Sequence, residues 1–462
     1  MLGTKFRWRK AIYFCILFNT CSFTTTAQPA TPKFQAFQPI SIANSSQAAG
    51  FTPGRANPLA PHDPYKEQNL RMMQQGGMTL PGPSMSKRQQ QAELRTLLPE
   101  EYQPTSREAI NAIAQPFLNS FHQLLQLNPD SFSITKAVYL VESAYYDKPY
   151  SFQEFSRAMQ QRAMVVQEIL KQEGLDNKNN LALNYAIQRL FRKPTTLYNA
   201  KTNRSITIDK LRYDFDDYLG EKEWTKMFVT KVLETNSGQC RSFPLLYLCL
   251  AEQVGAKAYL SLSPNHSFIQ FFDKKGRQYN FETTNGNLVS IAWLMQSTNV
   301  NATAYKNRTY LDSLSSRKLF AQCLTDLLQS YEVKINGFDP VSEQMINKIL
   351  ELDPTNITAL MIKANHATYK FRYEASLLGN PPEEMISRYA SLQKAYESAQ
   401  YWQERVLHSG FQEMPKEAYE RWLASIEVER KREINRQEQE AMKKEVEQLR
   451  KQKSTLYNKP KD

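Results

Sequence analysis

The sequence predicts an α+β protein in which a helix is followed by antiparallel strands and this unit is embedded between mainly helical regions. Three observations carry the prediction. Apolar residues recur at helical spacing from about residue 106 to 193. After about residue 290 the same spacing returns. Between them, an apolar run of helix length is followed by three short strand-like runs separated by turn residues.

The chain begins with Lys5, Arg7, Arg9 and Lys10 ahead of a short apolar run from Ala11 to Phe18, too short to span a bilayer. Small residues follow at Thr25, Thr26 and Ala27, so residues 1–27 read as a signal peptide directing export to a periplasmic or extracellular site. A lipid on Cys21 is less favoured, because Phe18, Asn19 and Thr20 do not resemble a lipoprotein signal. Residues 28–105 are rich in Pro, Gln, Ser and Ala and carry breaks such as Pro53-Gly54, which predicts a disordered linker.

Residues 106–200 form a helical region, with Ala112, Ile113, Phe117 and Phe121 on one face and Met164, Val165, Ile169 and Leu170 on another. Pro129 and Pro149 divide it. Residues 201–290 change character. An amphipathic stretch from Trp224 to Leu233 ends at Ser237-Gly238, and a second helix runs from near Cys240 to Val254, closed by Gly255. Strands are expected at 256–263, 267–272 and 278–284, the middle one apolar on both faces and therefore interior. Residues 291–425 return to helices, and residues 426–462 form a charged helical tail.

Basic residues number 58 and acidic residues 46, and loss of the four cations in residues 1–27 lowers the net charge from +12 to +8. The charges are interspersed rather than gathered in a stripe, so no nucleic-acid partner is expected. No Gly-rich phosphate loop and no metal-ligand spacing of cysteines occur, so neither cofactor nor metal is expected. No apolar stretch after the signal is long enough to be a transmembrane segment. Of five cysteines, 15 and 21 leave with the signal, and the odd number remaining fits an unpaired thiol in an oxidising compartment.

Cys240 sits where a loop enters a helix, with Ser237, Gly238 and Gln239 before it and Pro244 in the first turn after it. Backbone N–H groups at a helix start stabilise a thiolate or an oxyanion. Gln239 and Asn236 are candidate side-chain donors to that oxyanion, with ordinary turn capping as the equal alternative. Cys249, nine residues on, lies half a turn around the helix at about 100° per residue and reads as core, as does Cys323. His266 stands at the mouth of the middle strand, and a hairpin around Asp273 to Gly276 brings Glu282 within about two positions of it. A carboxylate there can hold one ring nitrogen while the other faces a thiol. His62, His122, His366 and His408 have no comparable neighbours in the sequence.

The strings Ser237-Gly238-Gln239-Cys240-Arg241, Pro264-Asn265-His266-Ser267-Phe268 and Asn280-Phe281-Glu282-Thr283-Thr284 together resemble the transglutaminase-like superfamily over roughly residues 205 to 370. The resemblance implies a papain-type core with Cys240 as nucleophile, His266 as general base and Glu282 as the orienting carboxylate. Glu stands where the superfamily usually has Asp, and Arg241 follows the cysteine where classical transglutaminases have Trp. The closer resemblance is to a bacterial branch with tetratricopeptide-like helices after the core, through Tyr310-Leu311 and the turn Leu352-Asp353-Pro354.

Two functions follow from this reading. One is cysteine-dependent acyl transfer on peptide or amide bonds through a thioester on Cys240, by hydrolysis or transamidation. The other is a non-catalytic binding protein that uses the core and the tetratricopeptide-like helices as a surface for a protein or peptide partner.

Overall fold

The computed structural model describes residues 107–425 other than 148, 200–203, 216, 219 and 413–419, together with Val428. The expected signal peptide and linker, and all of the charged tail but Val428, lie outside the described residues.

Among the described residues, four helices come first: α1 (Arg107–Leu125), α2 (Ile134–Ser143), α3 (Phe152–Gln172) and α4 (Asn180–Arg192). Pro129 and Pro149 fall in the breaks between them, where a residue without a backbone N–H is tolerated. Ser151 and Glu154 start α3 with reciprocal side-chain to backbone bonds, and Asn179 starts α4 by accepting the Leu181 N–H.

A hairpin of β1 (Thr195–Asn199) and β2 (Arg204–Ile208) follows. The sequence reading had no strand here, because Thr, Asn, Lys and Arg hide the alternation. A cross-strand bond between the Thr196 and Thr207 hydroxyls, 3.0 Å, ties the pair. β3 (Arg212–Tyr213) leads to α5 (Val229–Thr235) through one short turn of 3-10 helix at Trp224–Met227. The expected single helix from Trp224 is thus two pieces, separated where Phe228 takes extended backbone angles. β4 (Ser237–Gly238) pairs in parallel with β3.

α6 (Ser242–Val254) ends at Gly255, whose left-handed φ of 74° favours glycine. Its ten residues from Ser242 to Ala251 are all buried, which a helix tolerates only when partners surround it. Those partners are α2, α3, α4 and α5, together with β5 (Tyr259–Ser263) and β6 (His266–Phe272). β7 (Gln278–Glu282) and β8 (Asn287–Val289) complete an antiparallel sheet of order β5-β6-β7-β8. β6 is interior, with Phe268, Ile269 and Phe271 fully enclosed, as its two apolar faces require. The three-residue β8 was too short to read from sequence.

The chain then returns to helices: α7 (Ile291–Ser297), α8 (Ala302–Lys306), α9 (Ser316–Ile335), α10 (Pro340–Leu352), α11 (Ile357–Leu377) and α12 (Ala390–His408). Asp339 with Pro340 opens α10, and Asn356 opens α11 by accepting the Ala359 N–H at 2.9 Å. Among the described residues, no helix is long and apolar enough to cross a membrane.

Two helix starts are completed from elsewhere in the chain. Glu252 of α6 accepts the Ile134 and Thr135 N–H groups of α2 at 3.1 and 3.0 Å. Glu142 of α2 accepts the Val229 and Thr230 N–H groups of α5 at 2.6 and 2.9 Å. Burial pushes the Glu142 carboxyl up to about 7, against the lowering by those same bonds. The two carboxylates link α6 to α2 and α2 to α5, and α5 feeds the loop that carries Cys240.

Candidate active site

Cys240 lies two residues before α6, with Arg241 as the cap residue, so the thiol stands one step outside the helix rather than in its first turn. The loop before it has little freedom. A Cβ on Gly238 would stand 2.5 Å from Val232 and 2.8 Å from the Phe243 ring, so glycine is required for this close approach. Ser267 of β6 donates its hydroxyl to the Cys240 carbonyl. The Cys240 thiol points to the Asn265 carbonyl at 3.8 Å.

Asn265 takes a left-handed φ of 55° in the turn that joins β5 to β6, where Ser263 pairs with His266. That turn fixes His266 as the first residue of β6. The β6–β7 ladder pairs Ile269 with Phe281, which places Glu282 at the end of β7 beside the imidazole. His266 Nε2 lies 2.6 Å from Glu282 Oε2, and neither side chain is exposed. Glu282 Oε1 accepts the Thr284 N–H at 2.9 Å. The carboxylate is therefore held from both oxygens.

Burial alone would lower the basicity of His266; the charge of Glu282, and hydrogen bonds from the imidazole to Cys240 and Glu282, outweigh it and raise the imidazole above its ordinary value. Burial alone would raise Glu282; the charge and hydrogen bond of His266 hold it below the usual carboxylate range. The thiol thus faces a ring whose basicity is raised by its carboxylate partner, a setting that favours the thiolate.

Cys249 and Cys323 sit in the core, and burial pushes both thiols well up, which fits their reading as packing residues. The two oxyanion candidates are engaged elsewhere. Gln239 is fully buried and its amide donates to the Asp214 and Asp217 carbonyls, tying the Cys240 loop to the segment after β3. Asn236 is the left-handed cap of α5, and its side-chain oxygen accepts from Arg162. Asn236 caps α5 through its backbone, and both side chains tie distant segments together. His366, given no comparable neighbours by sequence, lies between two carboxylates, 3.0 Å from Glu332 and 3.7 Å from Glu343, and stacks on Phe338. Those partners lie 23 to 34 positions away on α9 and α10, beyond local spacing.

A cavity of about 90 Å³ opens beside Cys240 and His266 and reaches α9. Arg241 lies in its wall, 2.8 Å from Asp326 and against the Trp224 ring. Trp422, from the short described stretch 420–425, meets the His266 ring edge to face at 4.6 Å between centroids and is 6% exposed. Sequence reasoning missed Asp326, Gln329 and Trp422, which sit in ordinary helical patterns with no motif around them. Among the described residues, no group of three His, Cys, Asp or Glu side chains could hold a metal ion.

No curated protein and no solved structure matches the chain. A family model does: residues 156–325, from within α3 to within α9 and including Cys240, His266 and Glu282, match the transglutaminase-like superfamily. This stretch of the chain is similar to transglutaminase-like domains.

Proposed function

We propose that the protein is an exported enzyme of cysteine-dependent acyl transfer on peptide or amide bonds, with Cys240 as nucleophile, His266 as general base and acid, and Glu282 as the residue that orients the imidazole. The observation that carries this reading is the fully buried 2.6 Å contact between His266 Nε2 and Glu282 Oε2, which leaves the other ring nitrogen to serve the neighbouring thiol.

The Cys240 thiolate attacks the amide carbonyl carbon, and the C–N bond breaks as the leaving amine takes the proton held on His266 Nδ1. A thioester remains on Cys240. Water or a second amine then attacks the thioester, passes a proton to His266 Nδ1, and releases the acyl product as the C–S bond breaks. The thiolate and imidazolium are restored, so atoms and charge balance over the cycle. The helices from α10 to α12 would offer a surface for a protein or peptide partner, in keeping with the tetratricopeptide-like turn at Asp353-Pro354.

Alkylation of Cys240 by iodoacetamide across pH, read by peptide mass spectrometry, tests the proposal. Wild-type Cys240 should react near neutral pH about a hundredfold faster than in His266→Ala. Equal rates in the two proteins, at the level of an ordinary thiol, would instead favour a binding role without turnover.

A further inference from the structure

The cavity beside Cys240 ends on one face of α9, where Gln322, Asp326 and Gln329 follow one another at helical spacing. Gln329 is 2% exposed, and neither its amide nitrogen nor its amide oxygen has a hydrogen-bond partner. Gln322 donates to Asp326 at 3.0 Å, while its own side-chain oxygen is also buried without a partner. A buried polar group left unpaired costs free energy, and a ligand that pairs it recovers that cost. Gln329 offers amide N–H donors and a carbonyl acceptor side by side.

Charge narrows the occupant. Arg241 and Asp326 face each other at 2.8 Å in the same wall, so a cationic occupant meets Arg241 and an anionic one meets Asp326. Leu260, Leu262, Met361 and Phe411 give the remaining lining a largely apolar face, edged by the polar side chains of Ser263, Asn265, Ser267 and Thr358. A neutral planar group with a donor and an acceptor matches both features, since it can exchange two antiparallel hydrogen bonds with a glutamine side chain.

We propose that Gln329 lines a substrate subsite that takes an uncharged amide group of the acyl-donating molecule, next to the carbon attacked by Cys240. This deepens the acyl-transfer reading and rests on it. The amide has two sources, a side-chain carboxamide or the backbone amide preceding the reacting residue. Gln329 is then a specificity residue rather than part of the proton relay.

The test is the rate of Cys240 alkylation by matched chloromethyl ketones, each protein compared only with itself. In the side-chain arm, the N-acetyl-asparaginyl reagent is compared with its leucyl counterpart. In the backbone arm, an N-acetyl amide reagent is compared with the O-acetyl ester of the same shape. The amide reagent should win by about tenfold in one arm, and Gln329→Met should bring that ratio to about one. Because the readout is a ratio, loss of overall reactivity in the variant does not mimic the effect, and Gln322→Met provides a second variant on the same wall with a smaller drop. Ratios near one in both arms of the wild type, with labelling still dependent on His266, overturn the subsite and leave the thiol and imidazole reading intact. Labelling that ignores both His266 and the reagent overturns both.

Discussion

Glu282 is the charge partner of His266, 16 positions away in the chain. Its carboxylate raises the imidazole of His266, and His266 in turn keeps Glu282 ionised inside the fold. Because the folded value of His266 lies above its unfolded value, the contribution of the imidazole is fully present below the unfolded value near pH 6.5 and is lost as pH rises through the raised folded value, whereas that of the lowered Glu282 is present above pH 4.5 and is lost as pH falls through its folded value. Glu282→Gln removes the charge while keeping the shape. The expected result is an imidazole that titrates lower and about a hundredfold slower Cys240 alkylation at neutral pH, with the NMR titration of His266 as the direct check. An unmoved titration would show that the 2.6 Å contact does not set the basicity of the ring.

The starts of α2 and α5 are completed by two carboxylates supplied from a distance. Glu142 holds the start of α5, and its carboxyl is raised by burial to about 7 from an unfolded value of 4.5. Over that window the folded state binds more protons than the unfolded state, so stability falls as pH rises from about 4.5 to about 7. The size of the effect is on the order of 3 kcal/mol by the usual conversion of a shift to free energy. Urea unfolding at pH 5 and pH 8 should show this loss in the wild type and much less of it in Glu142→Gln. Equal pH dependence in the two proteins would mean that another buried group sets it.

The path from helix to strand was legible at the scale of elements. Gly255 marks the end of α6, and the apolar Phe268 to Phe271 run marks an interior strand, because each signal is local in sequence. The β1–β2 hairpin was not, since Thr195 to Asn199 lacks clear alternation and the alternating run Ser205 to Ile208 is only four residues long. The split of the Trp224 helix was likewise hidden, because both pieces share one amphipathic pattern.

At the scale of the molecule, Trp422 is brought against His266 from 156 positions away. Its indole keeps water from the imidazole and so strengthens the charge interaction with Glu282. Trp422→Ala should cost on the order of 3 kcal/mol of stability by cavity formation and lower the pH at which His266 titrates, whereas Trp422→Phe should restore much of both. Differential scanning calorimetry with the His266 titration reads the two effects separately. A loss of stability with an unchanged titration would reduce Trp422 to a packing role.

The sequence by itself determined the α+β class and the placement of Cys240, His266 and Glu282, because a cysteine before a helix and two residues on paired strands follow from local spacing and hairpin register. Only the tertiary structure decided that Gln239 and Asn236 serve as structural ties, that Glu142 and Glu252 complete distant helices, and that Gln329 and Trp422 reach the site. These contacts join segments far apart in the chain, and hydrophobic periodicity reports which face of a helix is buried without reporting what it is buried against.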